Sequence, residues 1–210
     1  MNSEAVAQLF TRSDGAYLFA RWGRPIVPVV FGVEYATLAV VKGAIEAVVM
    51  LAGHEMGEVD GELGANLMVF FLRDWAELLV VPGLDHLVPE LAALCARLEA
   101  KAANQYRLFR FEPGGEIKAA FVFLRMDAAL AALPAEALAL AQAVQVICLW
   151  SDRAFAHGSP LVRVRGQAVL RPEITAVIRA GYDKVMPAVA RDASHALRLA
   201  ARVSRDGLAG

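Results

Sequence analysis

The stretch YRLFRFEPGGEIKAAFVFLRM, Tyr106 to Met126, decides the fold. Its first segment alternates in period two, Pro113-Gly114-Gly115 supplies a turn, and a second apolar run answers the first. That pattern predicts an antiparallel hairpin over residues 106–125. Working outward, ANLMVFFL (65–72) is an almost unbroken apolar run, short enough to be a strand buried on both faces, and is expected at the centre of the sheet. IVPVVFG (26–32) reads as a further strand, and Pro28 within it removes a ladder donor, so an edge or bulged position is expected.

Helical periodicity fills the intervals. Residues 35–53 carry apolar side chains at 38, 41, 45, 48, 49 and 52, the spacing of one buried stripe, and end at Gly53. Residues 84–103 and 134–150 also read as helices, the latter entered through Pro134. A connector is expected from Ser151 to Gly166, then helices over 172–182 and 187–205. The result is an α+β fold in one domain, 1–210: a mixed sheet of about four strands, with the 106–125 hairpin at one side, covered by helices 35–53, 86–103 and 134–150. The expected core is Val29, Phe31, Leu38, Val41, Ile45, Val69, Phe71, Phe109, Phe111, Phe121, Phe123, Ile147 and Leu149.

Composition narrows the function classes. A chain of 210 residues buries enough surface to fold without disulfide or structural metal. Much of its 58% apolar content is alanine dispersed among charges, and no run approaches the ~20 residues of a membrane span, so no transmembrane helix is predicted. The amino-terminal residues lack the basic and apolar segments of an export signal, which gives a cytoplasmic expectation, with a periplasmic or envelope location the alternative if a signal segment lies outside this sequence. Cys95 and Cys148 sit in separate apolar stretches and read as buried thiols. The net charge of −1 conceals an asymmetry: residues 1–152 hold 11 basic and 18 acidic side chains, residues 153–210 hold 10 and 4. The halves can attract each other, or the basic part can face an anionic partner.

Candidate chemistry is sparse. His54-Glu55 invites comparison with zinc-protease helices, but the position four after His54 is Glu58 and glycines flank the segment. His54, Glu55 and Glu58 with a distant ligand such as His157 make the candidate metal set, and Asp60 and Glu62 could add oxygens. No serine has a nucleophile elbow, and no glycine-rich loop precedes a lysine-serine or lysine-threonine pair, so neither a catalytic triad nor nucleotide binding is indicated and no cofactor is expected. Over 187–205, Arg191, His195, Arg198, Arg202 and Arg205 fall within about 40° of one direction on a helical wheel, opposite Val189, Ala193, Ala196, Ala200 and Val203. Such a cationic stripe can bind an acidic protein or lie against the acidic half of its own domain; self-association is the other partner class, and no specific nucleic-acid signature accompanies it.

Several segments, in order, resemble a proteobacterial family, domain of unknown function 2927, whose members are often described as lipoproteins. The resemblance rests on Arg21-Trp22 with Arg24-Pro25, Asn66-Leu67-Met68-Val69, Gln145 followed by Ile147 to Asp152, Leu170 with Ile174, Tyr182-Asp183, and the alanine-rich last helix. It implies a bacterial, zincin-like domain with an acidic pair on the helix ahead of that glutamine. Here the matching positions are Ala141 and Gln142, so neither general base nor metal-supporting carboxylate carries over, and the lipid-anchoring cysteine is missing too. The expectation is therefore a non-catalytic binding or structural protein, the alternatives being a metal-assisted hydrolase of degenerate zincin type and an adaptor that binds an acidic partner through the basic terminal helix.

Overall fold

A computed structural model describes residues 1–58, 64–156 and 158–206. In chain order the elements are α1 (Ser3–Gln8), β1 (Phe19–Ala20), β2 (Pro28–Phe31), α2 (Tyr35–Ala52), β3 (Leu67–Leu72), a 3-10 turn (Trp75–Val80), α3 (Leu84–Leu87), α4 (Leu91–Ala100), β4 (Gln105–Phe111) and β5 (Ile117–Arg125). There follow α5 (Ala128–Ala131), α6 (Ala135–Ile147), β6 (Leu161–Val164), β7 (Gln167–Leu170), α7 (Pro172–Tyr182), β8 (Val189–Ala190) and α8 (Ser194–Asp206).

The fold is α+β around a mixed four-stranded sheet ordered β2-β3-β5-β4. β3 runs parallel to both β2 and β5, while β4 pairs antiparallel with β5 as the expected hairpin. Pro28 opens the edge strand β2, where its missing N–H costs no ladder bond. The next residue after β2, Gly32, has φ +79°, and a Cβ there would stand 2.0 Å from the Phe71 carbonyl oxygen, so only glycine lets the chain leave the sheet so close to β3. Asn66 fixes the opposite end: its Oδ1 accepts from Val27 N at 2.7 Å and its Nδ2 donates to Pro25 O at 2.8 Å.

Because the crossover strands bury both faces, two apolar clusters form. On one face Val41, Ile45, Val48 and Val49 of α2 meet Leu138, Ala139, Val144 and Val146 of α6 over Leu67, Val69, Ala120 and Val122. On the other, Trp75, Leu78, Leu84, Leu91, Leu94 and Leu98 cover Phe70, Phe121 and Phe123. Helix α2 is apolar and long enough, by length and composition, to cross a membrane; here its inward stripe lies on α6 and α7. The chain ends meet as well: α1 packs on α8, and Phe10, Tyr17 and Phe19 reach His195 and Trp150.

Several expectations need correction. The helix over 86–103 is broken: Pro89 follows an extended Val88, Glu90 takes φ +55°, and only Leu91–Ala100 continues. The 187–205 helix begins at Ser194, because Val189–Ala190 pairs with Phe19–Ala20 instead. The helix over 134–150 stops at Ile147, with Cys148 extended. The connector 151–166 ends in half of a hairpin, β6–β7, that turns at Arg165-Gly166 with φ of +50° and +85°. Of the expected core, Phe31 and Phe111 lie at strand ends and are 43% and 42% exposed, while Val29, Leu38, Phe71 and Phe109 are half-buried.

Candidate functional site

Helix α6 is the element around which the polar groups of the domain gather. An α-helix leaves its last carbonyls without intrahelical donors. Here three aromatic side chains, one just past the helix and two from distant parts of the chain, satisfy them: Trp150 Nε1 donates to Val144 O at 2.7 Å, Trp22 Nε1 to Val146 O at 2.8 Å, and Tyr182 Oη to Ile147 O at 2.7 Å. Tyr182 also accepts from Trp22 N at 3.4 Å, and the Arg21 guanidinium carbon stands 5.2 Å from the centre of its ring. Burial raises the Tyr182 hydroxyl well above the ordinary phenol range, so it remains a donor. Trp22, Trp150 and Tyr182, one from each of the motifs Arg21-Trp22, Ile147 to Asp152 and Tyr182-Asp183, thus clasp one helix end, with Arg21 stacked on Tyr182. Arg24 adds an ion pair with Glu112, which ties the first segment to the hairpin turn.

The candidate metal residues do not converge. His54 follows the left-handed cap Gly53, donates Nε2–H to Arg24 O at 2.8 Å and packs against Tyr182 with ring centres 5.2 Å apart. Burial holds its imidazole below the ordinary range and Arg21 adds to that, against the Arg24 hydrogen bond and Glu55. Glu55 and Glu58 point into solvent. His157, Asp60 and Glu62 lie outside the described residues. Among the described residues no three His, Cys, Asp or Glu side chains share a point where an ion could sit. Asp152 is engaged elsewhere, accepting from Ser13 N at 2.9 Å, and buried Ser151 donates Oγ–H to Gln8 O at 3.2 Å.

The cationic stripe is also redistributed. Arg191 precedes α8 and lies on a loop after β8. His195 is 3% exposed; its Nδ1 shares a 2.8 Å hydrogen bond with the Tyr17 hydroxyl, and its Nε2 is buried without a partner. Burial, assisted by the Arg198 charge, pulls its pKa down to about 4. Arg198 donates to Val185 O at 3.1 Å and Arg202 to Asp183 Oδ2 at 2.9 Å, so two of the five basic side chains strap α8 to the end of α7. Arg205 remains exposed. The expected inner positions Ala196, Ala200 and Val203 are buried, but Leu199 and His195 join them while Ala193 is exposed, so the buried stripe is turned towards His195.

A different arginine stands out. Arg107, on the edge strand β4, turns towards α6, where its Nη2 donates to Gln142 Oε1 at 2.5 Å and to Gln105 Oε1 at 2.7 Å. Gln142, 6% exposed, also donates Nε2 to Gln105 Oε1 at 3.3 Å. The Arg107 Nε is buried without a partner, and none of the ion pairs among the described residues involves this side chain. Burial lowers its pKa to about 10, which still leaves it charged at neutral pH. A signal for it exists in the sequence: period two places Arg107 on the same face as Phe109 and Phe111, which were themselves expected in the core.

Elsewhere, a cavity of about 560 Å³ opens between α1 and the start of α7, lined in part by Leu9, Phe155, Ile174, Arg153 and Arg171; Arg171 is paired there with Glu173 at 3.5 Å. No protein-family model, no curated protein and no solved structure matches the chain.

Proposed function

We propose that the chain is a non-catalytic binding protein, a degenerate relative of zincin-like domains. The observation that carries this reading is what lies in the crease between β4 and α6, the place where Arg107 of β4 meets Gln142 of α6. A hydrolytic helix there would offer imidazoles and a carboxylate, groups that hold a metal or move a proton near neutral pH. Ala141, Gln142 and Gln145 occupy those turns of α6, and what fills the crease is an arginine held by two amides. Amides do not titrate, and a guanidinium with a pKa of about 10 releases no proton at pH 7. Such groups recognise and orient. Gln145 is turned back on its own helix, its Nε2 donating to Ala141 O at 3.2 Å.

The test is hydrolysis of casein and a mixed peptide pool, measured with and without added zinc. No metal-dependent cleavage above the protein-free control is expected. Cleavage that appears with zinc and disappears in His54→Ala or Glu58→Ala would overturn the proposal in favour of a metal-assisted hydrolase.

A further inference from the structure

We infer that the crease beneath β4 is a receptor for a monocarboxylate carrying an apolar group, with Arg107 as the residue that binds the carboxylate. The inference rests on the binding reading above and names the ligand class of the same site.

A mostly buried guanidinium without an anion is costly, because desolvation is offset only when a charge is paired and its donors are satisfied. Arg107 has two neutral oxygens on one terminal nitrogen, a sealed and unpartnered Nε, and no carboxylate among the described residues. Its two terminal nitrogens can take two oxygens side by side, the geometry a carboxylate presents, once a glutamine oxygen is displaced from Nη2. Gln142 can serve the same anion, since its Nε2 now makes only a long 3.3 Å contact with Gln105. One cation and two neutral amides match a single negative charge; a phosphate dianion would leave an excess charge in the crease.

The rest of the ligand is set by the strand. At about 3.3 Å per residue, the side chain two positions along β4 lies ~7 Å from Arg107 and the next ~13 Å away on the same face. Those positions hold Phe109, half-buried, and Phe111, 42% exposed, with ring centres 6.5 Å apart and nearly parallel. A carboxylate separated by a few bonds from an aryl or alkyl group spans this distance.

The experiment is a thermal-shift titration of the full chain with acetate, 3-phenylpropionate and 4-phenylbutyrate, each beside its amide, and with inorganic phosphate. At about ten times a roughly millimolar Kd, a binding carboxylate should raise Tm by roughly 3–6 °C. The phenyl-substituted acids should outperform acetate, and the amides should do nothing. Gln142→Glu supplies the missing anion from within, so this variant should melt higher than the parent at pH 7 and lose the response to added acid. Arg107→Met should also lose the response. Free and amidated forms of a short peptide ending in Phe distinguish a peptide carboxylate from a small acid as the source of the same chemistry. Equal shifts with acid and amide, no shift with any carboxylate, or an undiminished response in Gln142→Glu would each overturn the inference. Failure here with no zinc-dependent cleavage leaves the non-catalytic reading standing, whereas cleavage removes that reading whatever the titration shows.

Discussion

Acid should loosen this domain through its sheltered imidazoles, His195 above all and the half-buried His54 as well, before the carboxylates protonate. His195 is 3% exposed, and its pKa falls from the ordinary 6.5 to about 4. Protonation would place a charge against Phe19, whose ring centre is 4.6 Å away, and make donors of both ring nitrogens although the buried Nε2 has nothing to donate to. The unfolded chain takes up this proton near pH 6.5 and the folded one only near pH 4. Across that window the unfolded state binds more protons, so stability rises with pH. The contribution is complete above pH 6.5 and lost by pH 4, and at about 1.4 kcal/mol per pH unit the loss amounts to about 3 kcal/mol. Urea unfolding of the parent and His195→Leu, measured at half-unit steps from pH 7.5 to 4, isolates it. Leu leaves the Tyr17 hydroxyl without its partner, so the variant should be about 1–2 kcal/mol less stable at pH 7 and should overtake the parent as the pH falls towards 4. Asp127, Asp152, Asp183 and Asp192 are all held below the ordinary carboxylate range by hydrogen bonds, so their own losses come later in the descent and are common to both proteins. A parent-minus-variant difference that stays flat from pH 6.5 to 4 would refute the assignment.

Three further outcomes follow from the geometry. Tyr182→Phe strands the Ile147 carbonyl at the end of α6 and should cost about 1–3 kcal/mol in chemical denaturation, with a smaller m-value change than error; a loss under about 0.5 kcal/mol would mean that the cap contributes little. Gly32→Ala drives a methyl into the Phe71 carbonyl at a positive φ, so it should destabilise by about 3 kcal/mol or more, or abolish soluble expression, while Gly43→Ala, with open space around it, should be neutral or stabilising. Arg202→Gln breaks the strap to Asp183 and should cost about 0.5–1 kcal/mol, more at low salt, whereas Arg191→Gln, on its exposed loop, should leave Tm unchanged within error.

The parts of the fold legible in the residues are those where one local rule acts alone. Alternation on both sides of Pro113-Gly114-Gly115 left no rival to a hairpin, and the apolar run at 67–72 could be satisfied only between two other strands. Pro28 announced an edge. Where two rules compete, the pattern misleads. Helical spacing runs through Pro89, yet the chain breaks there, since apolar side chains can reach a common face from two short helices as well as from one long one. The β6–β7 hairpin hid behind Arg163 and Arg165, whose charges look like connector residues although Arg165-Gly166 is a turn dipeptide. Site residues were less legible still. His195 shares the helical direction of the arginines, yet it turns inward to Tyr17 and Phe19, where burial lowers its pKa to about 4. Arg107 is hard to read from the residues because arginines in strands ordinarily reach water, and only the arrival of Gln142 from a segment 35 residues later shows what it faces.

The meeting of Phe10, Tyr17 and Phe19 with His195 and the last helix has a bearing on biosynthesis. These rings are made well before the surface that shelters them, His195 lying 178 positions after Tyr17. Until α8 is made the nascent chain carries an unsheltered aromatic patch, so stop codons anywhere before α8 should yield products that are cleared rather than merely shortened.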